Sequence, residues 1–237
     1  MLDALLGPLR SAAPDRPFVI AQLGQSLDGR IATPTGASRW INGNAALDHL
    51  HRLRANVDAV VVGVGTVAED DPALTVRRVK GRHPARVVID PNGRMNQNAR
   101  CLAADGTRRI VIRADNRAGH QNWGGHLCAE TLIVPRRDNA ADGAIDPNRI
   151  VAALFVMGLK KILIEGGAMT VSSFIDAGAV DRLHVLVAPI ILGSGVAGLS
   201  LKPIAALEEA RRPQTRVHVL DDGDVLFDCD MRQRDQG

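Results

Sequence analysis

The 237-residue chain has no tyrosine, two tryptophans and four phenylalanines, so it is poor in the aromatic faces on which single-stranded nucleic acid stacks. Its formal net charge is only +3. Basic residues come in short scattered groups, such as Arg77, Arg78, Lys80 and Arg82, or Arg211 and Arg212. That distribution suits local anion binding better than a polyanion groove, and no nucleic-acid partner is expected. Cys101, Cys128 and Cys229 are odd in number, widely separated and without a CxxC pair. This argues against a disulfide framework and a zinc site, leaving free thiols and no metal. No apolar run is long enough to cross a bilayer, and the opening MLDALLGPLR is too short and broken for a secretory signal. The expected address is the cytoplasm, with no membrane partner.

What is present is an ordinary globular composition, 46% hydrophobic and 23% charged. The stretch Asp58 to Arg77, DAVVVGVGTVAEDDPALTVR, organises the reading. Its β-branched first half reads as a strand buried on both faces, running into Gly63 and Gly65 and then a short helical turn at Thr66. The glycines are expected to let backbone approach a ligand, and the helix start offers unpaired N–H groups to a phosphate or a polar cofactor edge. Asp70 and Asp71 close that turn, where the helix dipole disfavours negative charge, so a role beyond helix stability is expected of Asp70. Pro72 is expected to force Asp71 into an extended conformation.

In chain order, residues 1–16 read as a frayed lead-in, 17–232 as one domain and 233–237 as a tail. Phe18 to Leu23 is the first strand, followed by a tight turn at Ser26 to Arg30 in which Gly29 supplies the positive φ. Asn42 is the expected N-cap of a helix reaching about Ala55, with Ala46, Leu50, Leu53 and Val57 on one face. Further strands are expected at Ala85 to Asp90, Arg109 to Arg113 and Thr131 to Val134, with loop-like segments at Pro91 to Ala99 and Ala114 to Gly125. Asp146 and Pro147 start a helix that Gly158 ends. Lys161 to Ile164, the turn Glu165-Gly166-Gly167, a helix over Ala168 to Ala177 and a strand over Asp181 to Ala188 make a βαβ unit. Its glycine turn lies at the carboxyl end of a strand, where α/β sheets bind ligands. A hairpin, Arg216 to Leu220 and Val225 to Met231, closes on Asp222-Gly223. The expected fold class is α/β: a single-domain mixed, mostly parallel sheet flanked by helices, with a C-terminal antiparallel hairpin.

Ser38, Arg54 and Arg77 form a candidate anion clamp, although most arginines are simply surface cations. Glu165 beside a phosphate-binding turn would repel the phosphate, so it is expected to face a hydrogen-bond donor such as a substrate ring. Trp40 reads equally as core packing or as a ligand stack. His49 and His51 are two apart on a helix and cannot share a face, which excludes them as paired metal ligands. Asp221, Asp222 and Asp224 fit a hairpin turn better than a calcium loop.

Five motifs in order, SLDGR (Ser26 to Arg30), SRWI (Ser38 to Ile41), GTVAEDDPALTVR (Gly65 to Arg77), LIEGG (Leu163 to Gly167) and VDRLHVLVAPIILGSG (Val180 to Gly195), resemble the pyrimidine reductases of riboflavin biosynthesis. The resemblance covers nearly all of Pro17 to Met231 and implies a dihydrofolate-reductase-like fold. It lacks the cytidine-deaminase-like zinc domain found ahead of the reductase in many bacterial members, so it implies a stand-alone reductase. By resemblance, Gly24, Trp40, Thr66, Asp70 and the turn Gly167, Ala168, Met169 and Thr170 would hold NADPH, and the glycine turns at Gly63, Gly65 and Gly166 are expected to lie along it because each leads into a helix start. Gln22, Ser38, Arg54, Leu74, Arg77 and Glu165 would hold a phosphorylated substrate. Ser38 and the two arginines would lie near its phosphate, and Glu165, the candidate catalytic residue, near the pyrimidine. The implied reaction passes a hydride from nicotinamide C4 to C1′ of a phosphoribosylamino-uracil, and a homodimer is expected. Two positions depart from the pattern: Gln22 stands where two-domain bacterial members have lysine, and Pro91 where they have serine. The same residues would also suit a reductase of this fold acting on a pteridine or another carbonyl compound, or a non-catalytic nucleotide-binding protein.

Overall fold

The computed structural model describes residues 5–115, 129–137 and 144–232. In chain order it contains α1 (Gly7–Arg10), β1 (Phe18–Ser26), β2 (Arg30–Ala32), α2 (Asn44–Asn56), β3 (Ala59–Gly63), α3 (Val64–Asp70), β4 (Ala85–Ile89), β5 (Arg109–Ala114) and β6 (Glu130–Val134). There follow α4 (Pro147–Val156), β7 (Lys161–Glu165), α5 (Ala168–Asp176), β8 (Arg182–Ala188), β9 (Val196–Ala197), β10 (Gln214–Val219) and β11 (Val225–Asp230). Nine strands form one sheet in the order β10-β11-β8-β1-β7-β3-β4-β5-β6, and β2 and β9 pair separately. Neighbours from β8 to β6 are parallel; β11 runs antiparallel to β8 and to β10. The expected mixed sheet with its terminal hairpin is therefore observed, and Gly223 closes the hairpin at φ 92°.

Each central strand is buried on both faces because alternate residues feed two cores. Val19, Ala21, Val61, Ile162 and Ile164 pack with Ile150, Leu154, Val171 and Phe174 of α4 and α5 on one side. Ile20, Val60, Val62 and Leu163 pack with Leu53 of α2, with Val57 just after it, and with Val64 and Val67 of α3 on the other. Asp146 caps α4 as expected, its side chain accepting from Asn148 N at 2.9 Å.

Three local expectations are corrected. The lead-in is not frayed over its described part: Leu5, Leu6 and Leu9 are 1–3% exposed, and α1 carries Leu6 and Leu9 into the core beside α2. Asn42 does not cap α2. The cap is Gly43, and the hairpin 180 residues away supplies the acceptors, Asp222 taking Ala45 N at 2.7 Å and Asp224 taking Gly43 N at 2.9 Å. Asn42 instead donates to Asp224 at 3.1 Å. Asp71 is left-handed, φ 40° and ψ 58°, because its N–H closes the last turn of α3 onto Val67 O; the helix end outweighs the bias imposed by Pro72. Of the remaining expectations, Cys128, most of Ala114 to Gly125 and the tail 233–237 lie outside the described residues.

Candidate active site

β3 and β7 are parallel neighbours, so the turns that follow them lie side by side at the carboxyl edge of the sheet. A Cβ on Gly63 would meet Thr170 Oγ1 at 2.5 Å, and one on Gly166 or Gly167 would meet Thr66 at 2.8 Å. Three of the glycines are thus explained by the two turns packing against each other, rather than by ligand approach as their sequence suggested. A Cβ on Gly65 would meet nothing within 4 Å. Gly166 and Gly167 also have positive φ, 72° and 29°. The helix starts that emerge here, at Val64 and Ala168, have no side-chain cap, whereas α2 and α4 each have a carboxylate on their first N–H groups. Those open donors can receive an anion or a polar cofactor edge. Ala168 is buried and Met169 is 74% exposed at the same turn.

Glu165 ends β7, and Gln22 of β1 is its register partner. Both are buried, at 5% and 9%, on the sheet face beneath α2. From α2, Arg54 reaches down to Glu165 through two hydrogen bonds, Nε to Oε1 at 2.7 Å and Nη2 to Oε2 at 2.6 Å. Burial pulls the Arg54 pKa down, but the Glu165 charge outweighs it and the net shift is upward. Arg54 also donates from Nη1 to Thr75 O at 3.1 Å. This corrects the expected clamp: Arg54 is the counter-ion of Glu165, not a free partner for phosphate.

Arg77 is exposed, and among the described residues its side chain is hydrogen-bonded only to Thr75 Oγ1, at 3.3 Å. Its pKa is lowered, first by desolvation of its inner part and then by the like charges of Arg54, Arg100 and Arg78, so the position lies in a positive field. His51 fixes the Arg77 backbone by accepting its N–H at 3.1 Å. Leu74 is 1% exposed with φ 54°, Trp40 is 82% exposed with φ 72°, and with Asp71 these are the non-glycine residues of positive φ among those described. Strained backbone of this kind concentrates at ligand sites. Trp40 is therefore not core packing. Ser38 Oγ lies 3.5 Å from Asp70 Oδ1, and no hydrogen bond joins it to Arg54 or Arg77 among the described residues. A Cβ on Gly24 would overlap Asn42 Oδ1, so any larger residue there would displace the Asn42 side chain.

A buried chain was not foreseen. Asp228 Oδ1 lies 3.1 Å from His184 Nε2, and His184 Nδ1 lies 2.9 Å from His49 Nε2. Burial raises the Asp228 pKa, but hydrogen bonds from His184 and Arg182 outweigh it and hold the carboxyl well below its usual range. An ionised carboxylate only accepts, so His184 donates to Asp228 from Nε2, while its Nδ1 pairs with His49 Nε2 and His49 Nδ1 has no hydrogen-bond partner among the described residues. His184 is the register partner of Gln22, so the chain runs to the site's edge. The signal in sequence was weak: two histidines and an aspartate spaced for no motif.

Burial first, then neighbouring positive charge, lowers the pKa of His49 to about 3 and of His51 to about 4, from 6.5. The unfolded chain therefore binds more protons than the folded one below pH 6.5, and stability falls as pH drops from there toward those values. The thermal midpoint should decline between roughly pH 7 and pH 5, before most carboxylates titrate. A midpoint constant over that interval, followed by circular dichroism, would contradict the neutral buried histidines.

Paired helix starts at the carboxyl edge of a mostly parallel sheet, beside an exposed arginine and a buried carboxylate, make this the candidate small-molecule site of an α/β protein. Residues 17–219 match the RibD C-terminal domain, and the chain belongs to that family. It is 34% identical over 181 residues, 75% of this chain and 80% of the relative, to the 2,5-diamino-6-ribosylamino-4(3H)-pyrimidinone 5′-phosphate reductase of Methanothermobacter thermautotrophicus. It is 31% identical over 216 residues to the riboflavin biosynthesis protein RibD of Aquifex aeolicus, covering 90% of this chain and 58% of that longer relative. Among solved structures it is similar to the diaminohydroxyphosphoribosylaminopyrimidine deaminase/5-amino-6-(5-phosphoribosylamino)uracil reductase of Thermotoga maritima. The TM-score is 0.71 at 27% identity, over 91% of this chain and 57% of that one.

Proposed function

We propose that this chain is the reductase of a phosphorylated ribosylamino-pyrimidine in riboflavin biosynthesis and uses NADPH. The observation that carries the reading is the pair of uncapped helix starts at Val64 and Ala168, on turns packed against each other at the carboxyl edge, in a chain of the RibD C-terminal domain family. Those N–H groups suit the cofactor's pyrophosphate and amide edges, with Thr66, Asp70 and Thr170 beside them and Trp40 exposed at the rim. When bound there, NADPH would supply the hydride that reduces the substrate's C1′, and one proton from solvent would complete the opening of the ribose to a ribityl chain.

The chain's own residues bind and orient. Arg77, in the field of Arg54, Arg78 and Arg100, takes the substrate phosphate; Glu165 and Gln22, side by side in register, face the pyrimidine ring. Arg54 orients the Glu165 carboxyl through two hydrogen bonds, while the Gln22 amide can both donate and accept, which suits a ring with N–H donors beside carbonyl acceptors. Holding the two reacting carbons in contact supplies much of the acceleration. We further propose a homodimer. Val217 and Val219 are 56% and 62% exposed on β10, and Leu207 is 75% exposed in the segment before it, an apolar surface suited to a second copy. The address proposed is the cytoplasm, and no helix among the described residues is long and apolar enough to cross a membrane.

The test mixes purified protein with NADPH and the deaminated phosphoribosylamino-uracil and follows loss of nicotinamide absorbance. Oxidation only in the presence of that substrate is expected. Binding of NADPH without turnover of it would move the assignment to another substrate, and no binding of either nicotinamide cofactor at high micromolar concentration would remove the reductase assignment.

A further inference from the structure

At the opposite end of the sheet lies a cavity of about 380 Å³ lined by Arg16, Arg182, Arg216 and Arg232, with Asp230 and Ser11. The topology brings them together: Arg182 begins β8, Asp230 ends the antiparallel β11, Arg216 is in β10, and the segment after α1 contributes Ser11 and Arg16. Three of the four guanidiniums already have a carboxylate. Arg182 binds Asp228 through Nε at 2.5 Å and Nη2 at 2.7 Å, and is itself buried. Arg232 binds Asp230 through Nε at 2.8 Å, and Arg16 places one nitrogen 3.2 Å from Asp181. Arg216 has no carboxylate partner among the described residues. Its register partner is Asp228, whose oxygens are taken by Arg182 and His184. The result is a frame held by ion pairs that leaves the Arg216 fork and most of the Arg16 donors facing one concavity.

We propose that this cavity is a second anion site, for a small phosphate monoester whose phosphate is held by Arg216 and Arg16. An arginine fork matches phosphate geometry, and an unpaired guanidinium beside three paired ones is a standing excess of positive charge. Size argues for an ester over the bare ion, since about 380 Å³ falls within the range of sites that hold small organic molecules and leaves room for an organic remainder. The apolar surface offered for dimerisation does not cover it. Val217 and Val219 are in register with Phe227 and Val225, on the sheet face opposite to Arg216.

The full-length protein is titrated calorimetrically at low salt with glycerol 3-phosphate and, separately, with inorganic phosphate. The wild type is compared with Arg16→Ala, Arg216→Ala, Arg216→Lys and Arg77→Ala, each checked by thermal melting. Arg77→Ala is included because the reductase site has an anion locus of its own. The expected result is saturable ester binding, tighter than that of phosphate, weakened about tenfold or more in Arg216→Ala, partly kept in Arg216→Lys and retained in Arg77→Ala. Ester binding unchanged in both Arg16→Ala and Arg216→Ala would overturn the proposal, as would binding lost only in Arg77→Ala. Equal affinity for phosphate and ester would overturn the ester assignment. None of these arms uses NADPH or turnover, so they stand or fall separately from the reductase reading.

Discussion

Arg54→Ala is expected to destabilise the protein by about 3–5 kcal/mol, the range for removing one partner of a buried ion pair. The cost arises less from the lost attraction than from what remains. Glu165, 5% exposed, would be a carboxylate with neither counter-ion nor water, and would have to take up a proton or draw solvent beneath α2. Denaturant unfolding measures the loss directly. The double variant Arg54→Ala/Glu165→Ala should recover part of it, because the stranded charge is gone, and the difference is the coupling energy of the pair. A loss of less than about 1 kcal/mol in the single variant would place the pair in solvent rather than under the helix.

Arg77→Ala should behave in the opposite way, with little effect on stability and a large one on the substrate. The side chain is exposed and makes one weak hydrogen bond, so its removal leaves nothing buried and unpaired. A charge-assisted contact to phosphate is worth about 1.5–3 kcal/mol, which corresponds to a rise in KM of roughly tenfold or more. NADPH affinity should stay within about twofold, since charge-assisted contacts act locally. Steady-state kinetics with a parallel cofactor titration separates the two. An equal loss of cofactor affinity would assign Arg77 to the other ligand.

These residues also mark where sequence stops informing. Strands β3, β4, β5, β7 and β8 were legible because short β-branched runs bounded by glycine, proline or aspartate have few other readings. The α4 cap was legible because Asp146, Pro147 and the helix they start are adjacent in the chain. Contacts across the fold were not. Arg54 and Glu165 are separated by 111 residues, and nothing local distinguishes an arginine that will bind phosphate from one that will neutralise a carboxylate. His49 and His184 are 135 apart and belong to no motif. Asp222 caps α2 from the far end of the chain, where its own neighbourhood reads only as a hairpin turn. β2 and β9 span three and two residues, too short for any periodicity to show. The lead-in, expected to be frayed as far as Pro14 and Pro17, is anchored by burial of Leu5, Leu6 and Leu9 rather than by helix propensity, which no local pattern announces.

The position of β1 has a consequence for how the chain is made. It leaves the ribosome before the other strands of its sheet, yet its two neighbours there, β7 and β8, lie some 140 residues or more downstream. Until Lys161 to Ala188 has been synthesised, the apolar run from Phe18 to Leu23 has both edges unpaired and no place to dock. The native sheet therefore assembles late in translation, and a chain released before β7 carries an open, hydrophobic strand of the kind that chaperones hold and aggregates recruit.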